Sequence, residues 1–239
     1  MIKEIKVCQS KLGIHDFFFF ADTFTLDRRW VITLCQEMID QNLNIKWACN
    51  SRPDSIDLEM AQKMKMAGCG VVSFGVESGK DRLLTEIKRG NDLKDCEDAI
   101  KVCREAGLKS LAFFMIGLPG ETRQDALETI EFSKKLDPDF IEYNIAQTFP
   151  GTEMAIDLEA KGILNQKDGN VLRYKVTSLS EHMSLEEINK ILKTAIFKFH
   201  FRPKYILKTL RKIKSFGELI NYIKHAFWRF PTFFFTKKT

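Results

Sequence analysis

The chain has 239 residues, of which 44% are hydrophobic and 29% are charged, a balance typical of a globular protein and not of a disordered one. Its longest apolar runs, such as Phe17–Ala21, are far too short to span a membrane, and no stretch has the pattern of a signal peptide. The six cysteines show no close metal-ligand spacing, so the sequence favours free thiols in a reducing cytoplasm.

Five strand patterns alternate with helical patterns along the first two thirds of the chain. The predicted strands cover residues 16–21, 44–50, 70–75, 108–116 and 140–146. The predicted helices cover residues 2–13, 27–41, 57–67, 81–87, 93–106 and 122–135. Such alternation predicts an α/β fold with parallel strands joined by right-handed crossovers, and both a partial (β/α) barrel and an open doubly wound sheet fit it.

Polar residues follow each predicted strand directly. They are Asp22, Arg52, Glu77, Glu121 and Gln147. In a barrel these strand ends converge on one mouth, whereas an open sheet would spread them along an edge. On the third strand, Ser73 and Gly75 share a face with Glu77 and leave room there for a ligand. These features favour the barrel.

The segment after the fourth strand is a glycine turn that leads into a helix. The apolar run 110–116 ends in Gly117–Gly120, after which Thr122 and Asp125 form a capping-box pattern. A strand end, a glycine turn and a helix N-terminus together place free backbone donors at one edge of the sheet. An ordinary turn that connects a strand to a helix is the alternative interpretation.

Four segments, taken in order, resemble the radical S-adenosylmethionine (radical SAM) enzymes, and most closely the branch often found with a cobalamin-binding domain. They are Phe20–Thr25, Ser73–Gly79, Phe114–Thr122 and Thr148–Thr152, and the resemblance covers roughly residues 1–160. It implies a partial (β/α)6 barrel that binds SAM and a 4Fe-4S cluster at its mouth. Cobalamin would be bound by a domain that precedes this chain.

The resemblance also implies roles for individual residues. Glu77 and Ser78 would contact the ribose or amino group of SAM. Ile116 and Gly117 would offer backbone groups to the adenine, with Glu121 steadying that turn.

Further implied contacts lie on the two sides of the mouth. Gln147 and Phe149 would line the other side of the adenine, and Asp22 and Thr23 would face the methionine end. Arg52 would pair with the methionine carboxylate, since a guanidinium suits bidentate contact with a carboxylate.

The sequence departs from the family at the cluster site. The family holds its cluster with C-x-x-x-C-x-x-C after a first strand, and neither that strand nor the motif is found in this chain. We therefore expect the SAM-binding portion of a radical SAM enzyme that modifies or methylates an apolar, lipid-like or tetrapyrrole substrate. The expected chain is a fragment or truncated product, missing the first strand, whose cluster ligands come from a separate domain or chain. The alternative is a degenerate, non-catalytic binding or partner subunit.

Basic residues concentrate at the C-terminus, where residues 181–239 carry 13 Lys and Arg against 4 Asp and Glu. This shift predicts a barrel domain over residues 1–160 and a basic helical extension over 161–239. Helical patterns begin at Ser184 and cover 205–214 and 218–228. The extension either packs on the barrel or attaches a cytoplasmic protein peripherally to an anionic membrane. Nucleic-acid binding has the least support.

Overall fold

A computed structural model describes residues 1–164 and 177–210, together with residue 220. The strands are β1 (Asp16–Phe19), β2 (Lys46–Ser51), β3 (Cys69–Glu77), β4 (Lys109–Ile116) and β5 (Phe140–Ile145). The helices are α1 (Ile2–Leu12), α2 (Arg28–Asp40), α3 (Leu58–Met66), α4 (Asp81–Glu86), α5 (Leu93–Glu105), α6 (Arg123–Leu136), α7 (Glu153–Ala160), α8 (Leu185–His200) and α9 (Pro203–Leu210). A short 3-10 helix, Pro53–Ser55, follows β2. The predicted alternation of strands and helices is confirmed.

The five strands form one parallel sheet in the order β1-β2-β3-β4-β5. Strands adjacent in sequence are neighbours throughout, so the sheet lacks the reversal of strand order that a doubly wound sheet requires. Because all strands are parallel, their carboxyl ends lie at one edge, which we call the mouth edge. The six-stranded partial barrel stays a prediction.

The two faces of the sheet differ in their covering. Alternate side chains such as Val72, Phe74 and Phe114 are fully buried in a core shared with the helices. The opposite side chains, among them Leu111 and Phe113, are only half-buried. We call this second side the inner face, because it is the side that a barrel would enclose.

Helix starts are set by local capping residues. Thr122 and Asp125 form the predicted reciprocal capping box at α6. Ser184 and Glu187 do the same at α8. Both predictions are confirmed. The sequence analysis missed α7, whose eight residues carry only a weak amphipathic pattern, although Thr152 caps it by accepting from the Ala155 N–H.

The apolar side of α8 is part of the main core. Ile188, Ala195 and Phe199 are fully buried and belong to the same cluster as the sheet residues. The described part of the predicted extension therefore packs on the sheet, although the division near residue 160 stays a prediction. The patterns predicted beyond residue 210 lie outside the described residues, with residue 220 excepted.

Two aspartates hold the turn between α8 and α9 at the edge opposite the mouth. The Arg202 guanidinium lies 3.2 Å from Asp137 Oδ1 and donates to the Lys134 carbonyl at 2.7 Å. Lys204 and Lys208 pair with Asp137 and Asp139 at 3.0 and 3.2 Å. Both lysines of α9 thus have a carboxylate partner within the chain, and peripheral membrane attachment stays a prediction. Within the described ranges, no helix has the length and apolarity needed to cross a bilayer.

Candidate functional site at the mouth edge

The segments that follow the five strands all lie at the mouth edge, because the strands are parallel. The structure therefore brings the five polar positions predicted from strand ends to one side of the molecule. The five side chains differ in their burial and in the hydrogen bonds and ion pairs that they already make within the chain. These differences decide which of them are open to a ligand.

Glu77 ends β3 in a backbone conformation that is rare for a residue with a side chain. Its φ is 67°, and the pairing of β3 with β4 shifts register between Gly75 and Glu77. Arg89, from the loop between α4 and α5, lies with Nη2 3.3 Å from Glu77 Oε1 and donates to the Gly75 carbonyl at 3.2 Å. A Cβ at Gly75 would overlap both side chains, so only glycine leaves room for this pair. The strained residue is therefore held by a specific partner.

The Glu77–Arg89 pair is left incomplete. Glu77 Oε2 and Arg89 Nε are buried and have no hydrogen-bond partner among the described residues. Burial raises the pKa of Glu77, and the nearby Arg89 acts against that rise. Glu77 Oε2 can still accept a hydrogen bond and Arg89 Nε can still donate one. A polar ligand with hydroxyl, amino or carboxylate groups would supply these missing partners.

Glu121 organises the turn after β4. Its Oε2 accepts from the N–H groups of Gly117 at 2.5 Å and Leu118 at 3.1 Å, and its Oε1 has no partner in the described part of the chain. Burial raises the pKa of Glu121 to about 7, against the opposing effect of those two N–H groups. The side chain is fully buried and holds the turn from within.

The same turn is clamped from outside by the segment before α8. Ser180 Oγ donates to the Glu121 carbonyl at 2.6 Å, and the Gly120 N–H donates to Glu181 at 2.9 Å. Gly117, at φ 91°, lies so close to Ile188 that a Cβ would approach the Ile188 side chain at 2.6 Å. Of the backbone groups predicted to meet adenine, the Ile116 carbonyl already accepts from the Ala146 N–H at 2.9 Å.

Arg52 is paired with a neighbour in this structure. Its guanidinium makes a bidentate contact with Asp54, at 2.9 and 2.6 Å, and this pairing raises the pKa of Arg52. It lies beside Gly90, and thus next to the loop that carries Arg89. The predicted contact with a methionine carboxylate would require Arg52 to share or exchange this partner.

The turn that carries Arg52 is fixed by three hydroxyl groups. Thr25 Oγ1 lies 2.5 Å from Ser51 Oγ and 2.6 Å from Ser55 Oγ. Both serine hydroxyls also donate to the Arg52 carbonyl, at 2.9 and 3.0 Å. This cluster ties the loop after β1 to the end of β2.

Other predicted site residues occupy different positions. Ser78 is fully buried and lies 3.4 Å from Thr129 of α6, and the Gly79 N–H donates to the same threonine at 3.0 Å. The Ser78 hydroxyl thus faces α6. Ser73 is buried on the inner face, below Gly75 and Glu77.

The remaining predicted residues belong to the rim or to the core. Asp22 and Gln147 are exposed, Thr23 is half-buried, and Phe149 is 59% exposed. Asp22 follows β1 and Gln147 follows β5, so the two lie at opposite ends of the mouth edge. The Ile116 side chain is fully buried on the helix side. The positions of these residues neither confirm nor contradict the predicted contacts with SAM, and those contacts stay predictions.

Sequence reasoning missed Arg89, Glu142 and Asn144. Arg89 lies between the predicted helices 81–87 and 93–106, and no local signal in the sequence relates it to Glu77. Glu142 and Asn144 alternate with the buried Ile141 and Tyr143 on β5, so the strand period could have placed them on the inner face.

Comparison with known proteins decides the family. The family model described as the radical SAM superfamily matches residues 1–133. The chain belongs to the radical SAM superfamily. The predicted resemblance is thereby confirmed, and membership implies SAM and a 4Fe-4S cluster.

Relatives of this radical SAM chain include methyltransferases. It is 33% identical over 215 residues to an uncharacterized methyltransferase of Pyrococcus horikoshii, a match that covers 88% of this chain and 46% of the relative. It is 26% identical over 162 residues to the anaerobic magnesium-protoporphyrin IX monomethyl ester cyclase of Cereibacter sphaeroides, covering 66% of this chain and 26% of the cyclase. The chain thus spans less than half of the length of these relatives.

Solved structures of the cobalamin-associated branch share the fold. The radical SAM methyltransferase TsrM from Kitasatospora setae, solved with cobalamin and a 4Fe-4S cluster, aligns with a TM-score of 0.62 at 21% identity, over 70% of this chain and 34% of TsrM. The cobalamin-dependent radical SAM enzyme OxsB aligns with a TM-score of 0.68 at 17% identity, over 98% of this chain and 41% of OxsB.

The cysteines of this radical SAM chain do not fit a 4Fe-4S cluster. Cluster ligands are thiolates, whereas burial raises the pKa of Cys35, Cys96 and Cys103 to about 12. Cys49 and Cys69 are also buried, and no group of three potential metal ligands occurs in the described ranges. The unfilled polar atoms of Glu77 and Arg89, in contrast, fit a polar ligand such as SAM.

Proposed function

We propose that this chain forms the SAM-binding portion of a radical SAM enzyme that methylates or otherwise modifies a largely apolar substrate. The observation that carries the proposal is the buried, incomplete Glu77–Arg89 pair at the mouth edge, with a glycine beneath it. Membership of the superfamily and the likeness to methyltransferases support it.

In this proposal the chain's own residues bind and orient the cofactor. Glu77 accepts from ribose hydroxyls or the amino group of SAM, and Arg89 donates to an oxygen of the same ligand. Glu121 keeps the Gly117 turn rigid against the adenine. When bound, SAM supplies either an electrophilic methyl group or, after accepting one electron, a carbon radical.

The cluster that supplies such an electron would have its ligands outside this chain, because the thiols present do not fit it. The proposal includes a cobalamin-binding domain as an associated part, on the model of TsrM and OxsB. A partial six-stranded barrel, completed by a further strand, is the architecture in which this arrangement would operate.

The first test is calorimetric titration of the purified chain with SAM. We expect saturable binding, weakened at least tenfold by Glu77→Ala because the ligand loses its acceptor. Glu37→Ala, on the exposed side of α2, is the matched control and should leave the affinity unchanged. Absence of SAM binding, or equal affinity for Glu77→Ala and the unmodified chain, would contradict the proposal.

A second candidate is a non-catalytic SAM-binding or partner subunit, which the poor fit of the buried thiols to a cluster raises. Iron analysis after anaerobic reconstitution of this chain should give well under one 4Fe-4S cluster per chain under either candidate. Reconstitution together with a polypeptide carrying C-x-x-x-C-x-x-C separates them. Reductive cleavage of SAM that depends on Glu77 supports the enzyme, and no cleavage supports the partner subunit.

A further inference from the structure

The inner face of β5 carries a carboxylate without a partner. Glu142 is half-buried and Asn144 is exposed, and neither side chain has a hydrogen bond or ion pair among the described residues. Of the other acids near the mouth, Glu77 pairs with Arg89 and Glu181 accepts from Gly120, while Asp22 lies exposed at the opposite end of the edge, after β1.

The sheet register places Glu142 next to an apolar surface and near the proposed SAM site. Gly75 of β3 is aligned with Phe113 of β4, and Phe113 with Glu142 of β5. Met115 is aligned with Asn144 one step closer to the mouth edge. Neighbouring strands are about 5 Å apart, so the backbone at Glu142 lies about 5 Å from that at Phe113. It lies about 10 Å from the backbone at Gly75, beneath the Glu77–Arg89 pair.

We propose that Glu142, assisted by Asn144, is a specificity determinant that receives a positively charged amine of the substrate. The apolar body of that substrate lies on Phe113 and Met115. This inference rests on the proposed function, because it identifies the class of substrate that the inner face binds below the proposed SAM site.

The charges on this face favour a cation. Lys109 shares the inner face of β4, but it lies at the end remote from the mouth, over the Phe140 ring at 6.0 Å. Phe113 lies between Glu142 on one side and the Glu77–Arg89 pair over Gly75 on the other. The charges of that pair oppose each other, whereas Glu142 has no counter-charge among the described residues. A carboxylate in a partly dehydrated, apolar setting attracts an ammonium group and repels an anionic substrate.

The spacing also limits the shape of the ligand. The backbones at Phe113 and Glu142 are one strand separation apart, about 5 Å, which is similar to the distance from the ring to the nitrogen in a short arylalkylamine. Phenethylamine is therefore a suitable probe. The neutral 2-phenylethanol and the anionic 3-phenylpropionate are its matched analogues of similar size.

The experiment uses the whole chain labelled with 13C at the methionine methyl groups. The Met115 methyl signal, assigned by Met115→Leu, reports binding on the inner face during titration with each probe. We expect phenethylamine to shift this signal saturably and to bind at least fivefold more tightly than 2-phenylethanol. We expect 3-phenylpropionate to bind at least tenfold more weakly than the amine.

Two variants act in opposite directions. Glu142→Gln should remove the preference for the amine, whereas Asn144→Asp, at an exposed position, should increase it at least threefold. Glu37→Gln should change nothing. Equal binding of the three probes, or a preference unchanged in both Glu142→Gln and Asn144→Asp, would overturn the proposal.

A parallel titration of the same variants with SAM keeps this inference separate from the proposed function. Unchanged SAM affinity in Glu142→Gln, with loss of the amine preference, supports a role in substrate choice. Loss of SAM binding in Glu142→Gln contradicts that role. Failure of the unmodified chain to bind SAM contradicts the proposed function, while the comparison of the three probes still decides the charge preference of the inner face.

Discussion

Replacing Glu121 by Gln should abolish a specific pH dependence of stability. The glutamine oxygen can still accept from the Gly117 and Leu118 N–H groups, and its amide nitrogen would occupy the position of Oε1, which has no partner in the described part of the chain. The substitution therefore retains the turn and removes the titrating group.

The magnitude follows from the two pKa values of this carboxyl group. Its ordinary pKa of 4.5 applies to the unfolded chain, whereas burial raises the pKa of Glu121 to about 7 in the folded protein. Between these values the folded protein holds the proton more tightly, so the free energy of unfolding falls as the pH rises and levels off above about pH 7. At about 1.4 kcal/mol per pH unit, the whole loss is about 3 kcal/mol.

Urea unfolding at pH 4.5, 6, 7 and 8 measures the effect. The free energy of unfolding of Glu121→Gln minus that of the unmodified chain should rise by about 3 kcal/mol between pH 4.5 and 8, because all other titrating groups cancel. Glu121→Ala, which leaves two buried N–H groups without an acceptor, should be less stable than Glu121→Gln at every pH. Parallel pH profiles for Glu121→Gln and the unmodified chain would refute this reasoning.

Three further substitutions test the site and its support. Gly75→Ala should weaken SAM binding about tenfold or more, because its Cβ overlaps the Glu77–Arg89 pair, whereas Gly70→Ala on the same strand meets nothing closer than 3.9 Å and should bind SAM normally in calorimetry. Arg202→Ala should lower the free energy of unfolding in urea by about 1.5–3 kcal/mol, because the buried Asp137 carboxylate loses its guanidinium partner and keeps only Lys204; a loss below about 0.5 kcal/mol would contradict this. Thr25→Val should lose about 1–2 kcal/mol in the same assay by breaking the hydroxyl cluster, against a change of about 0.5 kcal/mol or less for the exposed Thr33→Val.

Much of the fold could be predicted because its signals are local. The alternation of apolar strands with amphipathic helices, and capping boxes such as Thr122 with Asp125, depend on residues close together in the sequence. The same rules failed for α7, whose short sequence has little amphipathic pattern. The division that assigns Ser184 and the helix after it to a separate extension stays a prediction, because the composition shift does not reveal which face that helix would cover.

The candidate site was predictable only in part. Strand periodicity and turn glycines located Glu77 and Glu121 at the mouth edge. The partner of Glu77 is Arg89, which lies beyond an intervening helix, and the clamp on Gly120 comes from Glu181, 61 residues later. Contacts of that kind depend on tertiary packing, which no local pattern encodes. The ion pair of Arg52 is local instead, since its partner Asp54 lies only two residues away in the sequence.

The clamp on the turn after β4 has a consequence for synthesis of the chain on the ribosome. The family match ends at residue 133, yet Gly117 and Gly120 complete their contacts only with residues 180–188. All five strands precede those residues in the chain, but the turn after β4 cannot complete these contacts until residues 180–188 have been synthesised. A shortened protein that ends at residue 160 would therefore retain all five strands and still lack a finished mouth.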